Sequence, residues 1–102
     1  MRTKDIRLNM RITGSMLGIL GACWPKRIQF QNAWPKGLLL RRSNLLKASE
    51  KRIGVNWFIG KTLEWNELDR YDDLVKSMKS KGYVPIAVRI DAFVQVLRER
   101  GK

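Results

Sequence analysis

The sequence predicts a small single domain of the α+β class, with short strands or a hairpin and a C-terminal helix–strand–helix. Three observations predict it. The chain has 102 residues, the length of one domain. Apolar residues make up 44% of it and four residues are Trp, too much for a disordered tail. The apolar spacing also changes along the chain, alternating in some stretches and recurring with helical period in others. Residues 1–102 therefore read as one basic α/β domain, in which residues 1–36 could depend on a partner for their order.

The first apolar stretch is ITGSMLGILGAC, residues 12–23, behind the basic leader MRTKDIRLNMR. The uncharged run 12–25 is too short to span hydrocarbon, which takes about 20 residues. Leu20-Gly21-Ala22-Cys23 resembles the lipobox ahead of the lipid-modified cysteine of bacterial lipoproteins, and the acid-poor first half resembles a mitochondrial presequence. As soluble core, Ile12, Met16, Ile19 or Leu20, and Cys23 share a helical face. Gly14, Gly18 and Gly21 fall near another face, where a second element can approach closely. The basic character continues well past Cys23. That favours core over a removable leader and makes Cys23 a small buried hydrophobe.

The later elements follow from periodicity. KRIQFQ (26–31) alternates Ile28 and Phe30 with polar neighbours, as a short strand does. Residues 37–52 predict a helix, with Leu38, Leu45 and Ser49, or Leu39, Leu46 and Ile53, on one face; Leu38-Leu39-Leu40 fits no single period. Residues 52–65 are rich in Val, Trp, Phe and Ile and predict a strand, or a hairpin turned at Gly60-Lys61. Residues 65–83 predict a helix capped by Asn66, acidic early and basic late, with an apolar stripe of Leu68, Tyr71, Leu74 or Val75, and Met78 and with Gly82 ending it. In 83–90, Val84, Ile86, Val88 and Ile90 alternate as in a strand, Pro85 lying at its start or edge. Asp91 then caps a last helix that Gly101 ends.

Charge and side-chain inventory bound the function. The formal charge is +12, from 21 basic and 9 acidic residues. Residues 1–49 hold ten Lys/Arg and one acid, Asp5, a net of +9, and residues 50–102 hold eleven Lys/Arg and eight acids, a net of +3. Such a first half calls for an anionic partner, nucleic acid before membrane. One cysteine and no histidine exclude an intramolecular disulfide, a Cys/His zinc site and Ser-His or Cys-His catalysis. No cofactor, no metal and no enzymatic activity are expected.

Three local patterns are of the kind that can carry chemistry. GVNWFIGKT (54–62) has five residues between its glycines where a phosphate loop has four. Residues 57–97 resemble the tail of small restriction-like nuclease domains, with Lys61 as the lysine, but Ile59 stands where the metal-holding acid belongs. The carboxylates Glu64, Glu67, Asp69, Asp72 and Asp73 already suit a helix start. KSKGYVPIAVRIDAFVQVLRERG is similar in outline to the small winged-helix excisionases and regulators of mobile elements. That resemblance implies DNA binding and transfers no site residue.

The broader signal is basic residues interleaved with aromatics. Trp-Pro-Lys occurs twice, at 24–26 and 34–36. Lys26, Arg27, Lys36, Arg41, Arg42, Lys47, Lys51 and Arg52 are the expected phosphate contacts, and Trp24 and Trp34 the expected stacking platforms. The Pro after each Trp should hold it extended, away from helix. The expected function is a non-enzymatic nucleic-acid-binding protein, DNA or RNA, as a cytoplasmic mobile-element regulator or a basic ribonucleoprotein subunit. The alternatives are a module docking on an acidic protein surface and a lipid-anchored envelope protein, with no transmembrane segment in any of them.

Overall fold

The computed structural model describes residues 3–78 and 85–100. A 3-10 turn at Thr3–Asp5 leads into β1 (Arg11–Ile12), α1 (Gly14–Ile19), α2 (Trp24–Ala33), β2 (Leu38–Leu39), α3 (Arg42–Glu50), α4 (Val55–Thr62), α5 (Trp65–Met78) and α6 (Ile86–Arg100). The expected α+β architecture is thereby corrected: 71% of the described residues are helical, and the C-terminal part has no strand among them.

The core is built on α6. Ile90, Ala92, Phe93, Val94, Val96 and Leu97 are all buried, so this helix is enclosed on most of its circumference. Both α5 and α3 pack on it. Phe58 of α4 meets Phe93 edge to face, with ring centroids 5.9 Å apart. A helix buried on several sides loses its one-sided stripe, which is why Ile86, Val88 and Ile90 look alternating in sequence. Ile86, Ile90, Phe93 and Leu97 equally satisfy the helical i, i+4, i+7, i+11 series. The β preference of Val and Ile yields to that burial. Pro85 sits just ahead of the helix, and its carbonyl accepts from Val88 N at 3.0 Å. Asp91, the expected cap, lies inside the helix and pairs with Arg42 instead. Residues 83 and 84 of the expected strand, and the expected end residues Gly82 and Gly101, lie outside the described residues.

The predicted hairpin at 52–65 is α4. Val55, Phe58, Ile59 and Thr62 are buried at i, i+3, i+4 and i+7. Gly60 lies within the helix and is exposed, so it turns nothing. The predicted strand at 26–31 is part of α2, which carries Pro25 in its first turn, where a missing N–H costs nothing. The predicted helix at 37–52 divides. Leu38 and Leu40 are buried around a half-buried Leu39, the period of a strand, and α3 begins only at Arg42. β2 pairs antiparallel with β1, Arg11 opposite Leu39 and Ile12 opposite Leu38. The predicted helix at 65–83 forms as α5 over its described part. It starts at Trp65, one residue before the expected cap Asn66, and buries Tyr71 and Val75.

Arg100 ties the ends of the fold together. Its side chain is 6% exposed. Its Nε donates to Glu67 Oε2 at 2.7 Å, and one terminal nitrogen donates to Glu67 Oε1 at 2.6 Å and to the Thr62 carbonyl at 2.7 Å. The other reaches the carbonyls of Thr3 at 2.8 Å and Ile6 at 3.0 Å. All five guanidinium N–H groups are thus used. They join the N-terminal turn, the last residue of α4, the first turn of α5 and the end of α6. Glu67 also accepts the backbone N–H of Glu64 at 2.9 Å, half of a capping box at the start of α5.

These contacts make stability depend on pH. The hydrogen bonds from Arg100, then the Glu64 N–H, hold the Glu67 carboxyl below its ordinary range, against the opposing effect of burial. A carboxyl depressed in the folded state stabilises above its unfolded pKa of about 4.3 and loses that contribution as pH falls through the folded value. Glu67→Gln is therefore expected to flatten the acid limb of a plot of urea midpoint against pH. A limb of unchanged slope would show that other carboxylates dominate it.

Candidate nucleic-acid interface

Five of the ten predicted contacts, Trp24, Lys26, Arg27, Trp34 and Lys36, lie on the unit β1–α1–α2–β2, and the other five lie on or beside α3. Thr13 opens α1, its hydroxyl accepting from Met16 N at 3.3 Å. The helix ends in a Schellman motif: Ala22 N donates to Leu17 O at 2.9 Å and Gly21 N to Gly18 O at 3.0 Å. Gly21 takes φ +102°, which a side chain would strain. The chain turns over Leu20–Cys23 and enters α2. Gly37, at φ +84°, closes the unit; a Cβ there would lie 2.9 Å from the Ile12 carbonyl, so its absence lets β1 and β2 come together.

The glycine spacing has a direct structural counterpart. Gly14 and Gly18 both face α2. A Cβ on Gly14 would fall 2.3 Å from Gln31 Nε2, and one on Gly18 would fall 2.8 Å from Arg27 Cζ. Two residues four apart on α1 are thus crossed by two residues four apart on α2. Arg27 is braced there: its Nε donates to the Gly14 carbonyl at 3.3 Å, and its Cζ lies 5.3 Å from the centre of the Trp24 ring.

Cys23 corrects a second expectation. It is exposed, preceding α2 as its cap residue, rather than buried. The four-residue turn lifts it out of the face that Leu17 buries. The lipobox-like Leu20-Gly21-Ala22-Cys23 is this inter-helix turn. Cleavage before Cys23 would remove β1, α1 and the core residues Ile6, Ile12 and Leu17. Among the described residues, no helix is long and apolar enough to cross a membrane.

The two Trp-Pro-Lys triplets have different environments. Trp24 is 64% exposed in the first turn of α2, helical despite the following Pro. Trp34 ends α2 half-buried, its ring centroid 5.6 Å from that of Phe30, and acts as an edge of the core. Lys26 and Lys36 are exposed. Gln29 Nε2 donates to the Lys51 carbonyl at 3.3 Å, which brings α2 alongside the end of α3 and places Lys26, Lys51 and Arg52 in one region. Past the other end of α2, Arg11 donates to the Lys36 carbonyl at 2.6 Å. Arg11 is exposed and was missed in sequence because it stands outside the aromatic clusters. Arg41 donates to Asn9 Oδ1 at 2.8 Å, and Lys47 is exposed on α3. Arg42 is engaged otherwise: its guanidinium pairs with Asp91, which holds it above its ordinary pKa. Arg52 takes φ 60° in a second Schellman motif, where Ile53 N donates to Ala48 O at 3.0 Å. Glycine is the usual residue at such a position.

No acidic residue occurs between Asp5 and Glu50. The three ion pairs given by the described residues, Arg42–Asp91, Arg70–Glu99 and Arg100–Glu67, all draw their carboxylates from the C-terminal half. Among the described residues no group of three His, Cys, Asp or Glu converges to hold a metal ion. Comparison with protein-family models, with curated proteins and with solved structures found no match.

Proposed function

We propose that the protein is a non-enzymatic, duplex-DNA-binding regulator of the small cytoplasmic kind, with α2 as the helix offered to the DNA. The observation that carries this reading is α2 itself. It is a ten-residue helix without an acid, joined to α1 by a four-residue glycine turn. Two helices linked by a short glycine-containing turn are the geometry by which many proteins place a second helix in the major groove. The exposed residues of α2 include Lys26, Gln29 and Asn32. Lys suits guanine edges and the amides of Gln and Asn suit adenine. On this reading Lys36 and Arg11, past the C-terminal end of α2, and Lys51 and Arg52, beside its Gln29, would meet phosphates. A non-glycine residue at the left-handed position of Arg52 costs local stability, which supports a role for its charge.

Fluorescence anisotropy with a labelled duplex tests this reading. With about five to six phosphate contacts, affinity is expected to fall on the order of 10³-fold between 50 and 200 mM salt. A duplex left unbound at low salt contradicts the proposal. So does an affinity that ignores salt. Tighter binding of single-stranded RNA than of the duplex would shift the assignment from groove reading to base stacking, with Trp24 as the platform.

A further inference from the structure

We infer that the groove between the α1–α2 turn and the α3–α4 junction binds a small aromatic carboxylate. The groove encloses about 380 Å³, within the range of about 300–1,000 Å³ typical of small-molecule sites. Its walls are apolar and come from separate parts of the chain: Leu17 on α1, Ala22 in the turn, Ile53 after α3 and Trp57 on α4. Trp57 is 38% exposed, leaving aromatic surface on which a flat ring can pack. Among the described residues, Lys26 is the one charged residue that lines the groove, and no carboxylate lines it. Lys26 is exposed at the rim, so its ammonium is within reach of an anionic end of a ligand, and a cationic ligand would be repelled. A ring seated against Trp57, with its carboxylate on Lys26, matches both features through apolar burial and a charge-assisted hydrogen bond. The enclosed volume suits one or two fused rings rather than a folded partner. The assignment rests on the groove and does not depend on DNA binding.

The protein carries its own reporter. Cys23 lines the groove, is exposed, and is the one thiol of the chain. Its reaction with iodoacetamide, which carries neither ring nor charge, therefore reads a single position, without nucleic acid present. Naphthalene-2-carboxylate is expected to slow that reaction saturably. The neutral 2-naphthalenemethanol should need about tenfold higher concentration for the same protection, the worth of one charge-assisted hydrogen bond. Lys26→Gln should reduce protection by the carboxylate to the level of the alcohol. Trp57→Ala should weaken protection by both. Absence of protection, equal protection of the wild-type thiol by acid and alcohol, or a carboxylate effect that survives Lys26→Gln would overturn the inference. A failed duplex titration would leave this outcome unaffected, since the assay contains no DNA.

Discussion

Arg100→Ala is expected to cost about 3–5 kcal/mol of folding stability, because it removes one partner of a buried ion pair and leaves Glu67 charged and uncompensated. The guanidinium serves five acceptors from three other parts of the chain, and three of them are backbone carbonyls. A domain of this size has a total stability of about 5–10 kcal/mol, so the variant should populate its unfolded state measurably at 25 °C. Arg100→Lys should recover little, since an ammonium has three donors and cannot match the planar fork. Urea denaturation followed by Trp fluorescence reads both variants. Midpoints within a few tenths molar of wild type would show that the pair is a surface accessory. The prediction is sharpest for the N-terminal turn, whose Thr3 and Ile6 carbonyls are held by Arg100.

The second large effect concerns binding. Lys26→Glu combined with Lys36→Glu is expected to weaken duplex binding by about 100-fold or more and to reduce the salt slope by about two. Lys76→Glu combined with Arg98→Glu makes the same change in net charge on α5 and α6, where both residues are exposed. That pair should stay within a few-fold of wild type at moderate salt, where charges beyond about 10 Å are screened. Equal losses in the two doubles would mean that net charge, rather than a particular face, drives association. Arg42 is left out of the contrast because it is already paired with Asp91.

The parts of the fold legible in sequence were those whose signals were one-sided. The helix of residues 65–78 has an acidic start, a basic end and one apolar stripe, and all three agree. The segments 52–65 and 83–90 mislead in sequence because each is short and rich in β-branched or aromatic residues. Alternation and helical period then coincide, as in Ile86, Val88 and Ile90. Only long-range packing decides between them, here the packing of Phe58 on Phe93 and of α3 and α5 on α6.

The candidate site was partly legible. The acid-free first half and the glycine spacing were both visible, and Gly14 and Gly18 do receive a crossing helix. The helix was not recognised as α2, because KRIQFQ alternates and because a Pro after Trp24 was read as excluding helix. Pro is tolerated in a first turn, and that exception decides the case. Cys23 looks buried only if one continuous helix crosses Gly21, where the left-handed turn redirects the chain.

Amide chemical-shift mapping of the ¹⁵N-labelled protein during titration with a short duplex tests most directly whether α2 is the DNA-facing helix. Perturbations are expected to concentrate on residues 21–37, with weaker ones at Arg11, Lys51 and Arg52, and to spare α5 and the exposed side of α6. Shifts centred on α5 and α6, or spread evenly over the surface, would contradict the assignment of α2.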